Sequence, residues 1–461
     1  MRKVRYAIIG AGTVGLTALD IIKEQTDDYV LIQLGEWGTT CARVGCMPSK
    51  AMIHAANHFF HAKGAGAVGV KGVAGLTIDH AAVMQRVRRF RDRFVKGINA
   101  GTVETLPADK VILGAAHFVA PHRLEVNGEL IEAERIIIGT GSRPVVPATW
   151  REKLGKRLLT SDTVFELETL PRRVAVVGLG VIGLELGQAL SRLGVDVIGF
   201  EASDTLSGLR YPEASAKLVE CMSSEFAIYL NQSVDVDVDA HCAKVRRGDA
   251  IFEVDAVLVT MGRTPNIDQL GLENLNVALN DLGMPPFNPE TMQVADLPVF
   301  IAGDASGYRP ILHEAGDEGK IAALNAVGFP HVQSIPRKTP LGISFIEPGA
   351  AYFGDRFDAL DPAKIEVAAF DLHCNNGRAI VMDQDHGLLC LFADSASGQL
   401  LGGELVMPQA EHLAHLLAWC VQQRMTVAQI LQMPFYHPVL EEAVASVLKQ
   451  LNAKLKTDGV S

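Results

Sequence analysis

The sequence predicts an α/β protein in which two Rossmann-like domains are followed by an α+β module. Three observations carry that reading. A glycine fingerprint between an apolar strand and an apolar helix occurs twice, at "YAIIGAGTVGLTALDII" and "RRVAVVGLGVIGLELGQALSRLG". A polar residue stands 23 positions after the first glycine of each copy. The chain, at 461 residues, is too long for one hydrophobic core, and two to four domains follow from its length.

In the first copy Gly10, Gly12 and Gly15 are the fingerprint glycines, and in the second Gly178, Gly180 and Gly183. The three serve different physical ends, namely a tight turn, close approach of backbone to a pyrophosphate, and close packing of helix on strand, with the helix N-terminus facing the phosphates. The pattern also asks for an acid at the end of the second strand to hold the ribose hydroxyls. From Gly178 this position is Glu201, a carboxylate that accepts from a free 2'-hydroxyl and repels a 2'-phosphate, with no Arg close behind it, so NAD is preferred over NADP. From Gly10 it is Gln33, an amide; either Gln33 bonds the ribose without charge or Glu36 reaches back. Two nucleotide sites in one chain imply two cofactors with electrons passing between them. Asp304 in "VFIAGDAS" ends a strand with a carboxylate, where such folds bind ligands. "RIIIGTGSRP", with Thr140, Gly141 and Ser142, and "VLVTMGRTPN", with Gly262, are further strand-to-turn junctions.

Composition narrows the function classes. Hydrophobic residues make up 48% and charged ones 21%, an ordinary soluble balance. A net charge of -11 argues against nucleic-acid binding, which needs clustered Lys and Arg. The basic run "QRVRRFRDRFVKG" reads instead as a solvated amphipathic helix. The N-terminal apolar run holds a fingerprint and no cleavage site, so it is not read as a signal peptide. No stretch approaches the roughly 20 apolar residues that span a bilayer, and the expectation is a cytoplasmic protein without membrane partners. Irregular chain is expected only in the terminal "KTDGVS".

Seven cysteines without a secretory signal are no disulfide framework, and Cys221, Cys242, Cys374, Cys390 and Cys420 read as reduced structural thiols. Cys41 and Cys46 in "TTCARVGCMPSK" differ. A regular helix holds positions i and i+5 about 8–9 Å apart, beyond the roughly 7 Å reach of a disulfide. Pro48 and Gly45, however, favour departure from a regular helix. Zinc needs a second short-spaced ligand pair, which the sequence lacks. A redox disulfide is favoured, and two inert thiols remain the alternative.

This segment resembles the active-site disulfide of the pyridine nucleotide-disulfide oxidoreductases (class I), and the resemblance runs from the first fingerprint to "HPVLEE". It implies FAD and NAD as cofactors, an FAD domain over 1–147, an NAD domain over 148–267, a return to the FAD side over 268–338 and a dimerisation domain over 339–461. A homodimer is implied, with His437 of one subunit completing the site of the other. Within the family, the branch that oxidises dihydrolipoyl groups fits best, so lipoylated acyl-carrier domains of 2-oxoacid dehydrogenase or glycine cleavage complexes are the implied partners. By the same resemblance Cys41 exchanges with substrate sulfur and Cys46 lies against the flavin. Lys50 meets Glu185 beside the flavin, and Glu442 orients the base His437. Thr40 joins the cofactor contacts. Departures from the family pattern are Gln33 at the FAD-ribose position, Thr39 where glycine is common, Arg43 where Asn is frequent, and "FYHP" where a His commonly stands two places before the active one. A reductase of another disulfide and a flavin-binding subunit without catalysis are the alternative functions.

Overall fold

A computed structural model describes residues 1–458, which form two compact units. The first comprises residues 1–48, 85–145 and 262–337. Its core is a parallel sheet in the order Val111–Leu113, Tyr29–Gln33, Arg2–Ile9, Glu129–Ile138, with Val299–Ile301 pairing on the far side of Glu129–Ile138. Tyr6, Ala7, Ile8 and Ile9 are all buried, as expected of a parallel strand covered on both faces. An antiparallel extension, Ala116–Ala120 and Arg123–Val126, continues from the first half of Glu129–Ile138. Helices Thr13–Lys23 and Leu312–Gly328 pack through Val14, Ala18, Ile22, Ala315 and Ala322 on one face of the sheet.

The second unit comprises residues 49–84, 146–261 and 338 to the last described residue, 458. Its parallel sheet, in the order Ala227–Tyr229, Asp196–Phe200, Arg173–Val177, Ala256–Val259, Leu158–Leu159, repeats the strand-turn-helix start with Val181–Arg192 as the first helix. A three-stranded antiparallel sheet, Asp235–Val238, Ala243–Arg247 and Ala250–Val254, follows. The C-terminal sheet is antiparallel, in the order Leu341–Ser344, Gly349–Gly354, Leu400–Met407, Leu388–Asp394, Ile365–Asp371, and helices Ala410–Gln422 and Glu442–Asp458 close its core through Leu413, Leu417, Val444, Leu448 and Leu451. Leu388–Asp394 and Leu400–Met407 pair antiparallel as a hairpin.

The basic run lies in the helix His80–Gly101, where Arg86 stacks on Phe90. Among the described residues no helix is long and apolar enough to cross a membrane. The last helix extends to Asp458, so half of the tail expected to be irregular is helical; residues 459–461 lie outside the described residues.

Candidate active site

The first fingerprint separates its three glycines by what surrounds them. Gly10 has φ +100°, and a Cβ there would sit 2.4 Å from the Gly139 carbonyl oxygen. A Cβ on Gly15 would sit 1.8 Å from the Gly10 carbonyl oxygen, so helix and strand meet backbone to backbone. Gly12, at the N-cap of Thr13–Lys23, has no atom closer than 3.9 Å to that position and no side chain capping the helix. Uncapped N–H groups facing open space are what a phosphate requires. Beside them the Thr140 hydroxyl is buried without a hydrogen-bond partner. Ser142 donates to Asp304 at 2.6 Å, and the Arg263 guanidinium donates to the Ser142 hydroxyl at 2.8 Å. These residues fit a dinucleotide. Gly303, before Asp304, donates its N–H to Glu318, whose carboxyl burial pushes upward in pKa while Arg337 beside it opposes the shift.

Gln33 occupies the ribose position. Its Oε1 accepts from the Ala11 N–H at 2.7 Å, and its Nε2 donates to the carbonyls of Leu34 and Glu36 at 3.0 and 3.2 Å. The Glu36 carboxylate is turned to Arg43 at 2.7 Å and is 83% exposed. Thr40 is exposed at the start of the helix Thr40–Arg43.

The second fingerprint repeats the geometry. Gly178 has φ +93°, a Cβ on Gly183 would lie 1.9 Å from the Gly178 carbonyl oxygen, and Gly180 faces open space. Helix Val181–Arg192 is again uncapped by any side chain. Glu201 Oε2 accepts from the Leu179 N–H at 2.6 Å while Oε1 accepts from the Ser203 N–H at 3.1 Å. Gly262, at φ +104°, also faces open space.

The cysteine segment is not one helix. Thr40–Arg43 ends at Val44, and a new helix, Cys46–Gly64, begins at the second cysteine. Gly45 makes the break: a Cβ there would lie 3.2 Å from the Cys41 Cα. Thr39, where the family pattern has glycine, caps the first short helix by accepting from the Ala42 N–H at 3.2 Å. Cys41 and Cys46 are both half-buried. Cys46 opens a helix, so the N-terminal backbone dipole favours negative charge on its sulfur.

Lys50 follows on that same helix. Its Nζ lies 2.6 Å from Glu185 Oε2 and 4.5 Å from the centre of the Phe345 ring. Glu185 is 4% exposed, and its other oxygen accepts from the Phe345 N–H at 3.0 Å. Three residues on, Gln188 bonds both the N–H and the carbonyl of Glu347. Arg192 then joins Glu225, Glu347 and Asn57. One face of the helix Val181–Arg192 therefore holds the 345–347 strand exit and the Cys46–Gly64 helix.

His437 Nδ1 lies 2.9 Å from Glu442 Oε1, and Glu442 Oε2 accepts from the Val439 N–H at 3.2 Å. These two bonds, the imidazole first, hold the Glu442 carboxyl below its ordinary pKa. The imidazole is 79% exposed. Pro438 does not begin the helix, as a histidine-proline start would suggest; the helix begins at Glu442. Residues 437–441 form a turn that the Glu442 carboxylate closes through Val439. Asn376, 2% exposed, supports the same turn by donating to the Val439 carbonyl. Sequence reading did not single out Asn376, Arg263 or Asn266, which donates to the Thr140 carbonyl at 3.1 Å. No spacing rule joins Asn266 to Thr140 across 126 positions.

Two parallel sheets that each carry a dinucleotide fingerprint, with a two-cysteine break and a carboxylate-held imidazole elsewhere in the chain, are the parts of a flavin-dependent thiol-disulfide oxidoreductase. The chain belongs to the pyridine nucleotide-disulphide oxidoreductase family, matching it over residues 4–319 and matching the family's dimerisation domain over 342–448. Its cofactors are FAD and NAD. It is similar to dihydrolipoyl dehydrogenase from Chlamydia pneumoniae, 29% identical with 95% of each chain covered. The same enzyme from Geobacillus stearothermophilus is also 29% identical, with 94% of this chain and 93% of that one covered. Among solved structures, LpdA from Mycobacterium tuberculosis superposes with a TM-score of 0.82 at 24% identity over 97% of this chain and all of its own. The HOCl-induced flavoprotein disulfide reductase RclA from Escherichia coli, as its Cu(II) complex, also has a TM-score of 0.82, at 22% identity over 98% of this chain and all of its own.

Proposed function

We propose that this chain is an NAD-dependent dihydrolipoamide dehydrogenase, acting on dihydrolipoyl groups carried by acyl-carrier domains. The observation that carries the reading is the His437–Glu442 pair at 2.9 Å. A dithiol substrate arrives mostly protonated, because free thiols have a pKa of about 8.5, and only thiolate attacks a disulfide. Glu442 on Nδ1 leaves Nε2 of the exposed ring to take the proton. The same base has no comparable part in delivering electrons to an artificial acceptor.

The first substrate thiolate attacks Cys41, breaking the Cys41–Cys46 bond and leaving Cys46 as thiolate. The second substrate thiol then attacks the substrate sulfur of the mixed disulfide, closing the lipoyl ring while its proton passes to the departing Cys41 sulfur. Two electrons now reside on the Cys41 thiol and the Cys46 thiolate, and His437 retains the other proton. Gly10, Gly12, Gly15, Gln33, Thr140 and Asp304 would hold FAD, which would supply the electron relay to NAD. Gly178, Gly180, Gly183 and Glu201 would hold the nicotinamide dinucleotide, and Lys50 paired with Glu185 places an ammonium near the start of the helix that Cys46 opens. In the homodimer, His437 is taken to serve the neighbouring subunit's cysteines.

The test compares NAD reduction by dihydrolipoamide with NADH and NADPH oxidation by a panel of disulfides. The reading requires the specificity constant for dihydrolipoamide with NAD to exceed every other. A larger value for a different disulfide with NADPH overturns it.

A further inference from the structure

We propose that His373, Asp385 and His386 form a binding site for a divalent transition-metal ion on the C-terminal domain. Strands Ile365–Asp371 and Leu388–Asp394 are antiparallel, with Asp371 opposite Leu388. The pairing continues beyond the strand ends, because the Leu372 N–H donates to the Gly387 carbonyl at 3.0 Å. One step further in the same register, His373 stands opposite His386. Their rings stack with centroids 5.5 Å apart and planes 13° from parallel. Asp385 is fixed beside them, since its carboxylate accepts from the Cys374 N–H at 3.1 Å.

The donor atoms of the three residues all lie within 4.8 Å of one another. His373 Nδ1 and Asp385 Oδ2 are already 3.3 Å apart. That is the ligand-to-ligand edge of a tetrahedral ion with bonds of about 2.0–2.1 Å. The His386 nitrogen lies within 4.8 Å of both. Two imidazoles and one carboxylate suit zinc, copper or nickel rather than the oxygen-seeking magnesium and calcium. Three protein ligands leave a position for water. The other cluster of this kind among the described residues, Asp239, Cys242 and Glu253, is a weaker candidate because Lys244 already meets Asp239 at 2.7 Å.

The ion would join the two ends of the segment 374–385, which carries the short helix Gly377–Val381 and the Asn376 that supports the His437 turn. Binding therefore also restrains that segment.

The experiment uses the oxidised holoenzyme, stripped with chelator, so that Cys41 and Cys46 are closed to metal. Calorimetric titration with ZnCl2 should show about one ion per chain, and His386→Ala and His373→Ala should each weaken binding by at least about tenfold, the scale on which lost ligands and their supports act. Copper(II) EPR should show nitrogen coupling from two imidazoles, falling to one in either variant. Hydrogen exchange of residues 374–385 should slow on zinc loading and not in His386→Ala. Flavin content and circular dichroism report that each variant is folded. Zinc binding or copper spectra that are unchanged in both variants, or the absence of stoichiometric zinc uptake by the folded holoenzyme, overturns the proposal.

Discussion

Lys50→Met leaves the Glu185 carboxylate, 4% exposed, with one backbone donor at Phe345. Breaking a fully buried ion pair costs about 3–5 kcal/mol. The Lys50 side chain is 31% exposed, so water shares in its solvation and the expected loss falls to about 2–3 kcal/mol. At roughly 2 °C per kcal/mol for a unit of this size, Tm should fall by about 4–6 °C. Lys50→Met with Glu185→Met removes both charges and lets Phe345 pack against thioether, so the double variant should recover most of that loss. Differential scanning calorimetry at matched flavin content measures the cycle. Stopped-flow reduction by dihydrolipoamide, expected to slow in Lys50→Met with FAD still bound, reads the proposed role beside the cysteines. A Tm loss under about 1 °C for Lys50→Met, or a double variant no more stable than the single, would refute the claim that this is a desolvated pair. An unchanged reductive half-reaction would remove Lys50 from the mechanism.

Other expectations follow from the same geometry. Glu201→Ala should narrow the preference for NAD over NADP, because a carboxylate here would accept from a 2'-hydroxyl and oppose a 2'-phosphate with like charge; equal specificity constants in the unaltered enzyme would defeat this. His437→Gln should slow dihydrolipoamide oxidation by about 10²- to 10⁴-fold while sparing NADH oxidation by an artificial acceptor, with a smaller loss for Glu442→Gln. The Glu442 pKa is depressed in the folded chain, so its bond to His437 contributes fully above the ordinary glutamate pKa and is lost only as pH falls through the lower folded value; a carboxyl titration by NMR with a midpoint above 4.5 would contradict the assignment. Iodoacetamide at pH 8 should modify Cys374 first in the oxidised native protein, because it is exposed, whereas burial raises Cys221 to about 11 and lifts Cys390 and Cys420 too; early labelling of Cys221 would be inconsistent. Partial reduction should give a long-wavelength band from the Cys46 thiolate, and its persistence in Cys46→Ser would reverse the roles given to the two sulfurs.

How far the sequence carried differs from place to place for physical reasons. The fingerprints were readable because a glycine at Gly10 or Gly15 answers a backbone contact that excludes Cβ, and that demand leaves a mark on a single chain. The break between the cysteines was readable for the same cause at Gly45. Lys50 and Glu185 are 135 positions apart, and neither shows the other in its local pattern; only the family resemblance joined them. The start of the last helix is not legible at Pro438, because proline is only a permissive signal, whereas Glu442 acts through a side-chain bond to Val439 that sequence does not display. His373 and His386 attracted no notice in the sequence, since their meeting depends on strand register.

Gln33 and Glu201 together indicate what the ribose position of a fingerprint encodes. Each accepts from the N–H of the residue after the first glycine, Ala11 at 2.7 Å and Leu179 at 2.6 Å. The shared requirement is an acceptor at the end of the second strand, and either an amide or a carboxylate meets it. The rest of the side chain then separates them. Glu201 turns its second oxygen to the Ser203 N–H, a donor that suits a carboxylate. Gln33 instead faces the carbonyls of Leu34 and Glu36, which need a donor. A glutamate there would set a charged oxygen against two carbonyl oxygens, and these acceptors would lose their partner. The turn after the second strand, held further by Arg43 on Glu36, is therefore built for the amide. The departure at Gln33 is matched to its surroundings rather than being a defect in the cofactor site.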